Sequence, residues 1–269
     1  MYPELLNFNG FVITSFGALV AIGALVGLWL FGRELARSGL PDGARDAALI
    51  GVIAGLLGAK LFWVFEHTGE GPFWDLLTSR GGLTWFGGLV AGVGAALIVF
   101  AVRKYPLIPT LAAATPALAL GHLIGRIGCF LVGDDYGTAS DLPWAVAFPE
   151  GLPPTLARVH PTQLYEAAFL AVLTWLLLRW RRHGTPDHLV LGRYLVLTAA
   201  ARFLIEFIRI NERIALGLTT SQWMALAFIV LGTWLIAAYR RHGPAVPAGD
   251  RSWASSAAAR SSRRTNSAR

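Results

Sequence analysis

The sequence predicts an all-α integral membrane protein with seven transmembrane helices, its N-terminus outside and its C-terminus cytoplasmic. Three observations carry this. Hydrophobic residues are 55% of the chain and charged residues 14%, too little polar surface to cover a soluble globule of that apolar mass. Seven stretches approach the length of about 20 apolar residues that spans a bilayer as a helix. They lie at about 12–31, 46–65, 82–102, 108–128, 162–180, 188–208 and 220–239. The basic residues fall at alternate ends of these stretches.

In chain order, MYPELLNFNG carries no positive stretch, so no cleaved signal peptide is expected. Arg33, Arg37 and Arg45 follow the first span, Arg103 and Lys104 the third, Arg179, Arg181 and Arg182 the fifth, and Arg240 and Arg241 the seventh. The opposite loops hold Glu66, Glu70, Asp75, Asp134, Asp135, Asp141 and Glu150. With basic loops inside, all seven spans agree on one topology. Glycines recur inside the spans, as in GALVAIGALVG and GGLVAGVGAA, where small residues let helices approach closely in lipid. Residues 1–242 form the membrane domain. Residues 243–269, rich in Ala, Ser and Arg, read as a disordered basic cytoplasmic tail, either without a specific role or held on anionic lipid.

Composition excludes several functions. The single cysteine leaves no disulfide framework and no multi-cysteine metal site within one chain. The lysines are Lys60 and Lys104, so a Schiff-base lysine in the last span is missing and a retinal protein is excluded. A net charge of +7 reads as loop arginine that sets orientation, not as a nucleic-acid surface. No internal repeat supports an inverted-repeat transporter.

An ionisable side chain inside a span costs at least about 2.5–3.5 kcal/mol and marks a functional hypothesis. Four places qualify. In GHLIGRIGCFLVGDDYG, residues 121–137, Arg126 nears the outer end of the fourth span, with Asp134 and Asp135 next and Gly137 closing the segment. Arg126 is either an anion-binding group or a snorkelling arginine paired with Asp134. In RVHPTQLYEAAF, His160 and Pro161 open the fifth span, and Gln163, Tyr165 and Glu166 enter the membrane within two turns. His160 is either a helix cap or a catalytic group. In ARFLIEFIRINER, Arg202, Glu206 and Arg209 are spaced i, i+4, i+7 and so share one helix face. They form either a structural ladder or two arginines aimed at an anionic headgroup, with Glu206 holding them; a guanidinium fork suits phosphate. Lys60 either snorkels toward Glu66 or pairs inside the bundle. The first three clusters lie toward the outer leaflet and predict one arginine-rich pocket there, fitted to a phosphate-bearing lipid.

The segments GRIGCFLVGDDYG and HPTQLYE, the second the most specific, together with RFLIEFIR, LTTSQW, GGLTWFGGLVAG and ITSFGALVAIG resemble, over about residues 12–240, signature regions of the prolipoprotein diacylglyceryl transferases. The resemblance implies transfer of the diacylglyceryl group of phosphatidylglycerol to the lipobox cysteine of a prolipoprotein. It places the reaction at the outer side of the bacterial inner membrane, without metal or cofactor and without nucleic acid as partner. It implies catalytic roles for Arg126, Arg202, Glu206 and His160, and substrate binding by Arg126, Asp134, Gly137, Gln163, Tyr165, Glu166 and Arg209. Glu206 and Asp134 would position the arginines. Where the family has a histidine before the glycine pair of its third segment, this sequence has Phe86. Family positions for a tyrosine, two asparagines and a glutamate fall on Phe16, Cys129, Val132 and Asp134. His160, Asp134 and His122 are then the candidates for the missing base. These departures keep a second reading open, a diverged paralogue that binds or modifies a phospholipid without modifying lipoproteins.

Overall fold

The computed structural model describes residues 4–8, 11–79 and 82–242. The predicted tail, residues 243–269, and the basic side chains of Arg240 and Arg241 lie outside the described residues and side chains. The described residues divide into two units, one holding those up to residue 31 and from 111 to 242, the other those between 32 and 110.

The chain opens with an antiparallel pair, β1 (Glu4–Phe8) and β2 (Phe11–Thr14), registered through Phe8 opposite Phe11 and Glu4 opposite Thr14. The expected first span thus begins three residues late. Its helix α1 runs Ser15–Ser38, and Thr14 Oγ1 accepts the Gly17 N–H at 3.1 Å to satisfy one of the orphan donors of the first turn. α2 (Gly43–Glu66), the short α3 (Phe73–Thr78) and α4 (Trp85–Arg103) follow. α5 (Leu107–Val132) carries Pro116 in its interior, a residue that membrane helices tolerate when neighbours supply alternative partners. A second antiparallel pair, β3 (Val146–Phe148) and β4 (Thr155–Val159), interrupts the helices. α6 (Thr162–Arg182), α7 (Asp187–Ile205) and α8 (Thr220–His242) complete the chain.

Among the described residues, six helices are long and apolar enough to cross a membrane: α1, α2, α4, α5, α7 with its following turn, and α8. This is one fewer than the sequence suggested. The helix left out is α6. It has 21 residues, but it opens on Thr162, Gln163, Tyr165 and Glu166 and closes on Arg179, Arg181 and Arg182, which lowers its apolar character. The all-α prediction also missed the two hairpins, since both use short stretches without a strong alternation.

Within the second unit, α2 and α4 pack through glycine. A Cβ on Gly51 would lie 3.0 Å from the Gly92 carbonyl, so the two backbones are in contact and a larger residue would separate them. Lys60 does not turn to Glu66. Its Nζ donates to the Ser79 carbonyl and hydroxyl, both at 2.8 Å, and lies 4.6 Å over the Trp63 ring. Glu66 accepts instead from Thr84 Oγ1 at 2.8 Å. Phe86 lines, with Leu61, Phe62, Phe65 and Val90, an apolar groove of about 440 Å³ on this helix pair.

The first unit positions the charges. Gln222 is buried at the start of α8, where its Oε1 accepts the Thr219 N–H at 3.0 Å and its Nε2 donates to the Phe203 carbonyl at 3.3 Å. This ties α8 to the end of α7. Gly192 and Gly232 let the same two helices meet further along, each Cβ position falling within 2.8 Å of the other's carbonyl oxygen.

Candidate active site

α5 ends because Gly133 takes a left-handed conformation, φ +72°, which an L side chain adopts only with strain. Its N–H and that of Asp134 both return to the Cys129 carbonyl, at 2.9 and 3.2 Å. Asp135 is left-handed too, φ +62°, a conformation in which Asp is among the tolerated residues. The chain therefore doubles back over the end of α5. α6 fastens it there: Thr162 Oγ1 donates to the Asp135 carbonyl at 2.6 Å, and buried Gln163 donates through Nε2 to the Asp134 carbonyl.

The next residues run through a narrow slot. The Gly137 N–H reaches the His160 carbonyl at 2.9 Å, and the Thr138 N–H reaches the Ile208 carbonyl at 2.7 Å. A Cβ on Gly137 would lie 2.6 Å from the Ile208 carbonyl and 2.9 Å from both His160 Cβ and Thr162 Cγ2. Only glycine fits between these two backbones. Tyr136, beside it, stacks on buried Phe148 at 5.4 Å and donates to the Pro153 carbonyl at 2.6 Å. The β3–β4 hairpin is thereby anchored to the same loop.

Three arginines and three carboxylates then close into a ring of alternating charge. Arg126 Nη1 meets Asp135 Oδ2 at 2.7 Å, and Arg126 Nε lies 2.5 Å from Glu166 Oε2. Glu166 Oε1 accepts from Arg202 Nη1 at 2.9 Å. Arg202 Nη2 lies 3.1 Å from Glu206 Oε2, which is 3.7 Å from Arg209 Nε. Arg209 Nη2 returns to Asp135 Oδ1. The members come from α5, the following loop, α6, the end of α7 and the turn after it. Each helix alone would bury an unpaired charge; together they leave none, which is the condition for keeping charge at membrane depth. His122 Nε2 accepts from Arg126 Nε at 3.2 Å, Ser221 Oγ from Arg202 Nη2 at 3.2 Å, and Glu206 Oε1 from Asn211 Nδ2 at 2.6 Å.

The structure brings together Arg126, Glu166, Arg202, Glu206 and Arg209, with Gln163 and Gly137 holding the loop beside them. Two expectations change. Arg202, Glu206 and Arg209 do not share one helix face. α7 stops at Ile205, Glu206–Ile208 form a 3-10 turn, and Arg209 is extended at φ −88°, ψ 158°. This unwinding lets Arg209 reach Asp135. Second, the partner of Arg126 is Asp135 and not Asp134. The two left-handed residues point Asp135 into the ring and leave Asp134 beside Cys129, their ligand atoms and that of Asp135 lying within 4.8 Å of one another. A doublet of aspartates gives no signal in sequence for which of the two turns inward. The pocket is thus not a field of unbalanced arginines, because three carboxylates neutralise them.

The two aspartates are tuned in opposite directions. Burial, with Asp135 alongside, pushes the Asp134 carboxyl above the usual carboxylate range. Burial acts on Asp135 in the same sense, but Arg209 and Arg126 together overcome it and hold that carboxyl below the usual range. Among the described residues, Asp134 Oδ1 and Gln163 Oε1 are buried without a hydrogen-bond partner, as is Arg209 Nη1. His160 Nδ1 lies 3.3 Å from Tyr165 Oη, which accepts from Trp144 Nε1 at 2.7 Å. This trio stands next to the ring in sequence but, among the described residues, outside its ion pairs.

A model of the prolipoprotein diacylglyceryl transferase family matches residues 3–238. The chain is 29% identical over 242 residues to the phosphatidylglycerol–prolipoprotein diacylglyceryl transferase of Clostridium tetani, covering 87% of this chain and 96% of that one. It is 32% identical to the enzyme of the same name from Methylobacillus flagellatus, with 87% and 95% covered. For that of Pseudoalteromonas translucida the identity is 33%, with 87% and 91% covered. These matches run through every element that builds the ring, and the chain belongs to the prolipoprotein diacylglyceryl transferase family of multi-pass membrane proteins.

Proposed function

We propose that this chain transfers the diacylglyceryl group of phosphatidylglycerol to the lipobox cysteine of prolipoproteins, the first step of bacterial lipoprotein maturation, at the charge ring. The observation that carries the reading is the convergence of Arg126, Arg202 and Arg209 in a family member at one end of its spans. In the reaction the cysteine sulfur forms a bond to the glycerol carbon of the lipid. The carbon–oxygen bond to phosphate breaks, and its electron pair leaves on glycerol phosphate. Negative charge therefore grows on a phosphate ester, and Arg126 and Arg202, with Arg209 across the ring, stabilise it there. Glu166 and Glu206 keep both forks oriented without substrate, which removes reorganisation at the moment of reaction.

The thiol proton needs an acceptor, because a free thiol near pKa 8.5 is mostly protonated at neutral pH. Of the three candidates, His122 already accepts from Arg126, and His160 is turned to Tyr165. Asp134 has an oxygen with no partner and a raised affinity for protons. We assign it the acceptor role, with His160, Tyr165 and Gln163 lining the pocket.

The finer topology belongs to the same proposal. α6 is a seventh span whose polar opening residues face the ring and not lipid, since Gln163 and Glu166 are buried. With basic loops inside, the N-terminus is outside, the ring lies toward the outer leaflet of the inner membrane, and residues 243–269 form a cytoplasmic tail. The test is transfer from labelled phosphatidylglycerol to a lipobox peptide by purified protein. Arg126→Ala and Arg202→Ala should each lower kcat by about 10²-fold or more, the size of one lost transition-state donor. Near-normal turnover in both variants would remove the arginines from the mechanism.

A further inference from the structure

The ring has one weak member. The Glu206 side chain is wholly buried and that of Glu166 is 7% exposed, whereas that of Asp135 is 41% exposed. Asp135 also sits on a loop and not on a helix. Its carboxylate bridges Arg126 and Arg209, which keep other partners without it: Glu166 and His122 for the first, Glu206 for the second. It leaves Arg209 Nη1 buried and, among the described residues, without a hydrogen-bond partner. A carboxylate thus underfills a site with more donors than it can accept from. A phosphodiester is an anion of the same charge, and its tetrahedral set of oxygens offers acceptors in more directions than a planar carboxylate.

We propose that the Asp135 carboxylate is a place-holder, occupying in the lipid-free protein the seat that the phosphate of the donor lipid takes between Arg126 and Arg209. This rests on the reading of the ring as the phosphate site. With Asp135 in place the ring is neutral and stable. When its side chain swings outward, the loop backbone stays fixed by Thr162, Gln163 and Gly137, and the ring carries one net positive charge matched to the incoming phosphate. Substrate binding is then an exchange of one anion for another, and Asp135 weakens it by competing.

The experiment is equilibrium binding of short-chain phosphatidylglycerol, and separately of glycerol phosphate, to full-length protein in phosphatidylcholine nanodiscs. Asp135→Asn and Asp135→Gly both suit a positive φ, so neither strains the loop. Both should bind phosphatidylglycerol roughly twofold to fivefold more tightly, the size of a part-exposed ion pair no longer broken. KM should fall while kcat does not rise. Tightening toward glycerol phosphate as well assigns the seat to the phosphate of donor and product alike. Tightening toward the lipid alone assigns it to the intact headgroup. Arg209→Gln serves as the reference. If it weakens binding while both Asp135 variants, folded by thermal melting, bind as wild type or more weakly, the place-holder role is overturned. If neither the Arg209 nor the Asp135 variants change affinity, the ring is not the phosphate site at all.

Discussion

Glu206 is the member of the ring most committed to it, and replacing it with glutamine gives the sharpest test of whether the charges are shared. The side chain has no exposure. Oε1 accepts from Asn211 at 2.6 Å, and Oε2 faces Arg202 at 3.1 Å and Arg209 at 3.7 Å. Glutamine has the same shape with one acceptor and one donor. If its oxygen stays on Asn211, its NH2 group points at two guanidinium donors. If it flips, NH2 faces NH2. Either way at least one charge-assisted contact, about 1.5–3 kcal/mol each, is lost, and two buried arginines keep a shared carboxylate fewer. Removing one partner of a buried pair costs about 3–5 kcal/mol, because the remaining charge is uncompensated. At roughly 2–4 °C per kcal/mol for a domain of this size, Glu206→Gln should melt at least about 6 °C below wild type in the same detergent. Moving the carboxylate by adding Asn211→Asp should recover part of the loss, since the acceptor and its charge are restored one contact away. A Glu206→Gln protein that melts with the wild type would refute the shared ring, whatever its effect on turnover.

Two further outcomes follow from the same geometry. Gly137→Ala puts a methyl group 2.6 Å from the Ile208 carbonyl, so the loop that carries Asp134 and Asp135 must shift; transfer should fall by about 10²-fold, the size expected for a misplaced site, with the helical circular dichroism unchanged. Phe86, where the sequence resemblance implied a histidine, lines an apolar groove, so Phe86→His should leave kcat within an order of magnitude of wild type; a gain of about 10²-fold or more, the contribution of a general base, would instead identify the natural chain as a diverged, disabled paralogue.

Membrane character, the order of the helices and the identity of the arginines were all legible in the sequence. Each depends on local composition: a run of apolar residues cannot stay in water, and an arginine inside such a run must be accounted for. Glu166, which joins the ring, and Gln163, which holds its loop, stood out for the same reason, as polar groups at the head of an apolar helix. The helical spacing of Arg202, Glu206 and Arg209 predicted one shared helix face; the three do meet at the ring, but across an unwound turn. Spacing assumes that the helix continues, and whether it unwinds at Ile205 is settled by what waits across the gap, here Asp135 and the Thr138 N–H bound to the Ile208 carbonyl.

What only the tertiary structure decided is which carboxylate meets which arginine. Two adjacent aspartates differ by one residue of backbone, and left-handed turns at Gly133 and Asp135 send Asp135 to the ring and Asp134 to Cys129. Ring closure is likewise a property of three stretches far apart in the chain, around residues 126–135, 166 and 202–209. The sequence by itself determined that these charges need partners, because burying them alone is too costly. The fold determined the partners, because ion pairs act over a few ångströms and only packing brings residues 126, 135, 166, 202, 206 and 209 within that distance.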